Sequence, residues 1–473
     1  MSAAWARRLI LACACTALGG AALGQPMDLA RAWQAARSND YQLRASRATA
    51  AANRERLPQA EADLRPQVNL NMQRSRNELR SETPNPTAVG PELLQQHLFY
   101  SSSADTLTLR QPLYRPQLTA RLRQARALVA NGDAILEDEE QKLVMRLTQA
   151  YLEALNAEEQ VRLVTLQRAA YAVQLDAARK GFAAGSGTRT DIDEAQARLD
   201  LNAAQDLEAR QALEFVRRQL AVIVGQPVTE LARLDAERLP LAVPEPARLE
   251  DWQARAEMGS PEIRAALANV DAARHEVDRV QAGYLPTLDA VAQVSRSDSD
   301  NVTRVNTKFN QKTIGVQLNV PLYQGGLVQS QVRQALADLE RYQSVLEGLR
   351  LDLGSRVHRE FREVTEGIAR VRALEQAVRS SEQMVTSSRR SQQGGSRTVV
   401  DVLNAEQQLG TTRRDLAQAR FAYVLALIRL RSLAGEAGDQ SIQDVNQWLR
   451  QEPGPPPEAP SGTLRLRIGS NAQ

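Results

Sequence analysis

The stretch Gly181–Leu199, GFAAGSGTRTDIDEAQARL, is repeated in altered form as Ser391–Leu409, SQQGGSRTVVDVLNAEQQL. Each copy has glycine, serine, threonine and aspartate at matching positions, always 210 residues apart. The matched pairs are Gly185 with Gly395, Ser186 with Ser396, Thr188 with Thr398 and Asp191 with Asp401. A long internal repeat has to be recognised before any fold is assigned. A duplicated unit favours a symmetric duct or scaffold over a single catalytic pocket.

The repeat extends well beyond this stretch. A second landmark, QPLYRPQL at Gln111–Leu118, recurs 209 residues later as VPLYQGGL at Val320–Leu327. Two further pairs keep the 210-residue step: Tyr151 with Phe361, and Gly225 with Gly435. Most of the chain therefore consists of two copies of one unit.

The first residues predict a secretory signal peptide. Arg7 and Arg8 precede the apolar run LILACACTALGGAAL and a small-residue ending, which is the pattern of a cleaved signal. The run is shorter than the roughly 20 apolar residues of a membrane anchor, and Cys13 and Cys15 lie too close to the arginines for a lipoprotein signal. We expect cleavage before Gln25. The mature chain then has no cysteine, which excludes disulfides, thiolate metal sites and a cysteine nucleophile.

The composition favours long helices over several compact cores. Only 4% of the 473 residues are aromatic, whereas Gln, Arg, Ala, Leu and Glu dominate long tracts, as they do in coiled coils. The 59 basic and 56 acidic residues nearly balance, so no basic surface for nucleic acid is indicated. The mean hydropathy is −0.41.

Four tracts have helical periodicity, at about residues 118–180, 191–223, 327–390 and 399–433. The first carries Leu143, Leu147, Tyr151 and Leu155 at four-residue steps, and the second carries Leu199, Leu207, Leu213 and Leu220. Such spacing forms an apolar stripe. A tract of this length argues against the alternative, a globular helical bundle, because helices in compact domains average about 11 or 12 residues.

Glycine-rich turns separate the tracts in pairs. Gly185-Ser186-Gly187 follows the first tract, and Gly394-Gly395-Ser396 follows the third. Glycine readily supplies the positive φ needed after a helix. The sequence therefore predicts two helical hairpins, at about residues 118–224 and 327–433.

Segments of period two lie between the helical tracts, at about residues 64–76, 103–113, 285–296 and 311–322. In the last of them Ile314, Val316 and Leu318 alternate with Gly315 and Gln317. This pattern predicts strands with one polar and one apolar face, each about ten residues long, as in a membrane barrel. Polar loops, about Arg74–Ser103 and Ser295–Gln311, are expected to join the strands. The alternative is a small soluble sheet packed on the helices.

Four strands cannot close a membrane barrel by themselves. The smallest such barrels have about eight strands, and an open edge cannot face lipid. The chain must therefore share strands with copies of itself, in a number that periodicity does not fix. Aromatic residues near the predicted strand ends suit interfacial girdles: Phe99, Tyr100, Tyr114, Tyr284, Phe309 and Tyr323.

Together these features resemble the TolC family of outer-membrane channel proteins. Gly395–Ala405 is similar to that family's second tip motif and Gly185–Asp191 to its first, and the likeness covers about Met27–Leu449. It implies an α+β membrane protein: a homotrimer with a shared twelve-stranded β-barrel, four strands from each chain, and a periplasmic α-barrel of duplicated helical hairpins. It also implies location in the outer membrane of a Gram-negative bacterium, with a long periplasmic extension.

The resemblance implies partners and a function as well. Such proteins dock onto a periplasmic adaptor and an inner-membrane transporter, expected to be of ABC type, and passively conduct a polypeptide or a drug. The second tip and the absence of a lipid-anchored cysteine favour type I secretion of a protein toxin, for example by an adenylate cyclase-haemolysin system. Multidrug efflux is the alternative within this class. A periplasmic coiled-coil scaffold or adaptor is the alternative outside it, although an adaptor is expected to carry one hairpin and not two copies.

The expected organisation follows the repeat. It comprises a signal peptide at 1–24, a first repeat at 25–230, an equatorial connector at 231–261, a second repeat at 262–436, and a C-terminal equatorial segment with a disordered Pro-rich tail at 437–473.

The hairpin tips are the candidate adaptor-contact site. Their small residues permit close approach of another helix tip, and they also serve as turn-formers; the sequence does not separate these roles. The candidate contact residues are Gly185, Ser186, Thr188, Gly395, Ser396 and Thr398.

A periplasmic gate is expected beside the tips. The candidate gate residues are Arg389, Arg390, Asp401 and Asp191. Both aspartates lie near helix starts, where a carboxylate interacts favourably with the helix dipole, so capping is their first interpretation. The related channels have acidic residues at this constriction, but Thr386–Arg390 contains none. We therefore expect a basic or neutral entrance, and we hypothesise that Arg389 or Arg390 pairs with Glu382 or Asp401 in the closed state.

The sequence gives no support for an active site. His97, His275 and His358 are scattered without metal-ligand spacing, and no phosphate-binding G-x-x-x-x-G-K-[ST] motif is present. The acidic run Glu137–Glu140 is typical of a solvated helix face. We therefore expect no enzymatic activity, no cofactor and no nucleic-acid partner.

Overall fold

The computed structural model describes residues 26–84, 93–299 and 307–450. The expected signal peptide, the Pro-rich tail from Pro453, and Pro86 and Pro91 of the first expected loop lie outside these residues. The chain divides into two units. The first comprises Met1–Arg44, Glu139–Ser260 and Leu353–Gln473, and the second comprises Ala45–Asp138 and Pro261–Asp352.

Helices dominate the described part of the chain. The longest are α4 with 68 residues and α8 with 67. The helices are α1 (Leu29–Asn39), α2 (Tyr41–Arg54), α3 (Arg56–Ala62), α4 (Pro116–Ala183), α5 (Arg189–Val224), α6 (Leu249–Gly259), α7 (Pro261–Gln281), α8 (Leu327–Gln393), α9 (Val399–Leu433) and α10 (Asp439–Gln447). Within the described ranges, no helix combines the length and the apolar character that crossing a membrane requires.

The predicted hairpins are present as α4 with α5 and α8 with α9. Leu143, Leu147, Tyr151 and Leu155 are all buried, as the four-residue spacing predicts. The stripe predicted on α5 is only partly buried, because Leu220 is inside but Leu207 is 61% exposed. Helices α1–α3, α6, α7 and α10 were not predicted, although α1 buries Leu29, Ala32, Trp33 and Ala36 at helical spacing.

Four strands form one antiparallel sheet in the second unit, in the order β1-β2-β4-β5. The strands are β1 (Gln67–Pro84), β2 (Leu93–Tyr114), β4 (Thr287–Ser299) and β5 (Thr307–Asn319). Strands β1 and β5 are the two edges.

The strands are longer than their apolar alternation predicts. The β1–β2 ladder continues from Arg74↔Ser103 to Pro84↔Leu93, so most of the expected loop Arg74–Ser103 is in fact strand. Likewise β4 and β5 continue to Ser299↔Thr307. The expected loops were wrong here because the outer parts of β1, β4 and β5 are mainly polar, which hides the period of two although backbone pairing continues. The second Pro-Leu-Tyr landmark lies just after β5, whereas the first ends β2.

The sheet has one apolar face, defined here by Val68, Leu70 and Met72 and their cross-strand neighbours. Paired residues share a face, and the register places Leu70 opposite Leu107 and Leu107 opposite Val294. On β5 the same face carries Ile314, Val316 and Leu318, which are 63–88% exposed. The opposite face is polar, with residues such as Asn69, Asn71, Thr106 and Thr108. The predicted division into a polar and an apolar face is confirmed.

The first unit contains a short second sheet, β3 (Arg233–Leu234) with β6 (Leu449–Arg450). It joins the segment after the first hairpin to the C-terminal segment.

The Tyr151 hydroxyl donates hydrogen bonds to the carbonyls of Met27 and Ala232, at 2.9 and 3.0 Å. In the same way, the Tyr423 hydroxyl donates to the Pro240 carbonyl at 2.7 Å. These two tyrosine hydroxyls thus link non-helical backbone to the long helices. They donate hydrogen bonds to backbone carbonyls that would otherwise lack partners.

Candidate functional site

The first hairpin tip is a tight glycine turn. After α4, Gly185 adopts φ +75°, and the Ser186 N–H donates to the Gly181 carbonyl at 2.9 Å. The Ser186 hydroxyl donates to the same carbonyl at 3.2 Å. A Cβ on Gly187 would lie 3.0 Å from the backbone nitrogen of Phe182. The turn therefore needs glycine at Gly185 for its φ, and a side chain at Gly187 would fit only tightly.

The second tip has the same turn with one difference. Gly395 also has φ +75°, and the Ser396 N–H and hydroxyl donate to the Ser391 carbonyl at 2.9 and 3.1 Å. Arg397 stands where the first tip has Gly187, and its guanidinium donates to the Ser388 hydroxyl at 2.8 Å. The duplicated sequence thus produces duplicated backbone geometry, as predicted, with one added cation at the second tip.

A reciprocal capping box starts each returning helix. The Asp191 N–H donates to the Thr188 hydroxyl oxygen at 3.2 Å, and the Thr188 N–H donates to the Asp191 carboxylate at 2.9 Å. Thr398 and Asp401 repeat both distances. Each box satisfies two backbone groups that a helix start leaves unpaired. The interpretation of Asp191 and Asp401 as caps is confirmed.

The capping box also shifts an acid–base equilibrium. At the second tip, the Thr398 backbone N–H, followed by its hydroxyl, lowers the pKa of Asp401 below its ordinary value of 3.8, and Arg397 adds a smaller effect. Hydrogen bonds to the ionised form favour that form. Asp401 is therefore a fixed anion at the tip.

Arg389 has a partner other than those hypothesised for it. Arg389 is ion-paired with Glu406, whose side chain is 9% exposed, and Glu382 is paired with Arg413 at 2.7 Å. The hypothesised pairing of Arg389 with Glu382 or Asp401 within one chain was therefore wrong. Asp401 is held by its own cap instead. Arg390 is exposed.

Glu406 is the residue that sequence reasoning missed. It lies seven residues after the start of α9 at Val399, whereas Arg389 lies four residues before the end of α8 at Gln393. Because this spacing is unequal, counting residues from the turn does not predict the pair. Among the described residues, no group of three or more His, Cys, Asp or Glu side chains is placed to hold a metal ion.

Comparison with known proteins identifies the family. The sequence profile of a family described as "Outer membrane efflux protein" matches residues 32–226 and 252–436. The chain belongs to this family. The family match and the strands together confirm the predicted α+β fold of long duplicated hairpins and membrane strands. The chain is an export channel of the Gram-negative outer membrane, with its long helices in the periplasm, and it is not an enzyme.

Several relatives share most of the chain's length. The proteases secretion protein PrtF of Dickeya chrysanthemi is 34% identical over 441 residues, which are 92% of this chain and 93% of that protein. The alkaline protease secretion protein AprF of Pseudomonas aeruginosa is 33% identical, covering 73% and 72%. The outer membrane protein TolC of Escherichia coli is 29% identical, covering 93% and 88%. The resemblance to the TolC family is thereby confirmed.

A solved structure supports the fold. The outer-membrane channel OprN superposes with a TM-score of 0.73 at 18% identity, covering 87% of this chain and 90% of that one. At this identity the likeness concerns the fold alone.

Proposed function

We propose that this chain is the outer-membrane duct of a tripartite type I secretion system whose cargo is a polypeptide. The observation that carries the proposal is the similarity to PrtF, named as a proteases secretion protein, over 92% of this chain and 93% of the relative. The similarity to AprF, named as an alkaline protease secretion protein, also supports a polypeptide cargo. These names favour a secreted protease over the adenylate cyclase-haemolysin considered from the sequence.

The duct works as a homotrimer in this proposal. The sheet ends in two open edges, β1 and β5, and open edges need partners in lipid. Three copies supply twelve strands by pairing β5 of one protomer with β1 of the next. The helices offer a matching surface in the first unit, where α5 exposes Leu207, Phe215 and Val222 by 60–64%. Exposed apolar side chains of this size are typical of a protein interface.

The tips are the proposed adaptor contact. Gly185, Ser186 and Thr188 form one tip and Gly395, Ser396 and Thr398 the other, and no bulky side chain stands on either turn apart from Arg397. A Cβ on Gly185 or Gly395 would meet nothing within 4 Å. Both turns are therefore open to an approaching helical tip from an adaptor bound to an ABC-type transporter.

The gate in this proposal is a set of fixed charges. Arg389 is held by Glu406, Asp191 and Asp401 are held by their caps, and Arg390 is exposed. We propose that Arg390 faces the entrance and gives it a basic character. Arg390→Ala should then change single-channel conductance in a planar bilayer, whereas unchanged conductance would remove Arg390 from the gate.

The division of the chain follows the repeat in this proposal. Residues 25–230 and 262–436 act as the two structural repeats. Residues 231–261 and the segment from 437 form the equatorial region around β3 and β6.

A cargo assay tests the proposal. A strain that lacks its own secretion channel receives this chain together with a matched transporter and adaptor, and the culture medium is assayed for the secreted protease. We expect secretion to be restored without a gain in drug resistance. Restored drug resistance without secretion would instead establish the efflux alternative.

The tips are tested in the same strain. The variant Ser186→Arg/Ser396→Arg places bulk on both turns and should abolish secretion. Its matched control, Ser344→Arg on an exposed position of α8, should secrete normally. Equal secretion by both variants would rule out the tips as the adaptor contact.

A further inference from the structure

The apolar face of the four-stranded sheet changes character at the same level on every strand. Two rows near the helix-connected ends are mainly apolar: Val68, Leu109, Ala292 and Ile314, then Leu70, Leu107, Val294 and Lys312. The next two rows toward the hairpin ends are mainly polar and charged: Met72, Asp105, Arg296 and Asn310, then Arg74, Ser103, Asp298 and Lys308. Charged side chains thus border the apolar surface across the whole sheet.

Cations predominate along this border, here called the basic belt. The belt consists of Arg74, Arg76, Arg296, Lys308 and Lys312, and the carboxylates among them are Asp105 and Asp298. Arg74 contacts Asp105 at 2.6 Å and Lys308 contacts Asp298 at 3.2 Å. Two carboxylates cannot neutralise five cations, so the belt carries a net positive charge.

The belt is open to its surroundings. The side chains of Arg74 and Lys308 are 60% and 63% exposed despite their ion pairs, and Arg76, Arg296 and Lys312 are exposed as well. Farther toward the hairpin, Glu78 contacts Arg80 at 3.0 Å and His97 at 2.6 Å. That outer cluster has its own carboxylate, so it leaves the positive charge of the belt in place.

The orientation of the chain fixes which lipid the belt meets. The helix-connected strand ends face the periplasm, so the hairpin ends and the belt lie toward the cell exterior. The apolar rows contact acyl chains, and the belt lies where the head groups of the outer leaflet begin. In a Gram-negative outer membrane that leaflet consists of a phosphorylated glycolipid.

We propose that the basic belt binds the phosphate groups of lipid A, the membrane anchor of lipopolysaccharide. Arginine can bind phosphate oxygens through two parallel N–H donors, and cations beside a membrane surface attract anionic head groups. Arg76, Arg296 and Lys312 are the principal ligands, since Arg74 and Lys308 also hold carboxylates. The proposal depends on the outer-membrane location of the channel and not on its cargo, so it can hold or fail independently of protein secretion.

The test compares full-length channels in nanodiscs with purified diphosphoryl lipid A as the probe. Arg76→Gln/Arg296→Gln/Lys312→Gln removes three belt charges, and Arg44→Gln/Arg126→Gln/Arg333→Gln removes three exposed charges from helices. We expect the belt variant to bind lipid A about tenfold more weakly or worse, because several charge-assisted contacts are lost. The control should bind like the wild type.

If the belt variant fails to fold, two lipid probes on the wild-type protein still test the proposal. Dephosphorylated lipid A should bind about tenfold more weakly than the diphosphoryl form, since the phosphates are the proposed ligands. Phosphatidylglycerol should also bind more weakly, because it has a single phosphate. Equal binding of diphosphoryl and dephosphorylated lipid A, equal binding of phosphatidylglycerol, or an unaffected belt variant would each overturn the proposal.

Discussion

Arg389 on α8 is ion-paired with Glu406 on α9, across the turn that joins their helices. Two more ion pairs follow at successive steps of seven residues away from the tip: Glu382 with Arg413 at 2.7 Å, then Glu375 with Arg420 at 2.8 Å. A seven-residue step along both helices is the spacing of a coiled coil. The second hairpin is therefore an antiparallel coiled coil whose charged contacts form a ladder.

The first hairpin keeps the same register with different chemistry. Arg179 donates to the Gln196 side chain at 3.2 Å, at the positions that Arg389 and Glu406 occupy in the second repeat. Three heptads farther from the tip, Arg217 contacts Glu158 at 2.7 Å. Duplication has thus preserved the register, while the ion pair nearest the tip exists only in the second hairpin.

The Arg389–Glu406 pair should stabilise the second tip through Glu406. Arg389→Gln leaves a nearly buried carboxylate without its cation, which should cost about 1–3 kcal/mol, toward the lower end because Arg389 is half exposed. Glu406→Gln restores the arginine–glutamine contact of the first hairpin and should cost less. Hydrogen exchange of the amides around 385–410 measures both effects. Greater loosening by Glu406→Gln would contradict this account.

The capping box at the second tip should make its stability depend on pH. Hydrogen bonds from Thr398 depress the folded-state pKa of Asp401. The carboxylate therefore adds stability above its unfolded pKa of about 4, and this contribution disappears as the pH falls through the lower, folded pKa. The melting-temperature difference between wild type and Asp401→Asn should be constant above about pH 5 and shrink below about pH 4. A difference that persists unchanged at about pH 3 would exclude the linkage.

Gly259 should be irreplaceable in the equatorial region. A Cβ at this position would lie 2.3 Å from the Ala434 carbonyl oxygen, so α6 and the end of α9 would have to separate. Gly259→Ala should destabilise the protein by about 1–3 kcal/mol, the usual cost of overpacking. Gly438→Ala is the matched control, because a Cβ there meets nothing within 4 Å. Thermal unfolding compares the two, and equal stabilities would refute the close contact.

Asn202 should lower the stability of the folded protein. It is 1% exposed, and its amide nitrogen and oxygen have no hydrogen-bond partner among the described residues. It borders a cavity of about 530 Å³ between the helices, beside Gln167, Tyr171 and Arg198. Asn202→Leu removes an unsatisfied amide and should stabilise the protein by about 1 kcal/mol or more. The exposed substitution Gln383→Leu should have no effect. Loss of stability in Asn202→Leu would show that ordered water satisfies the amide.

The sequence predicted those features that local chemistry determines. Gly185 and Gly395 mark the turns because only glycine adopts their φ cheaply, and Thr188 and Thr398 mark the helix starts because their hydroxyls cap. Leu143 and Leu147 mark the buried face by their spacing. The family motif at Gly395–Ala405 then led to the fold and the function class.

Features that depend on partners far along the chain were not predictable in the same way. The outer half of β1 is mainly polar and has no alternation of period two, so its backbone pairing with β2 is what reveals it as strand. The partner of Arg389 depends on the hairpin register, because several carboxylates are similarly close in sequence. The basic belt depends on the cross-strand alignment of four strands, which single-strand periodicity does not contain.

The central claim is that copies of this chain form a closed duct in the outer membrane. The most direct test is the native mass of the protein extracted in detergent from the outer-membrane fraction. We expect a trimer in that fraction, since its twelve strands leave no edge exposed to lipid. A monomer recovered from the periplasm would contradict the account.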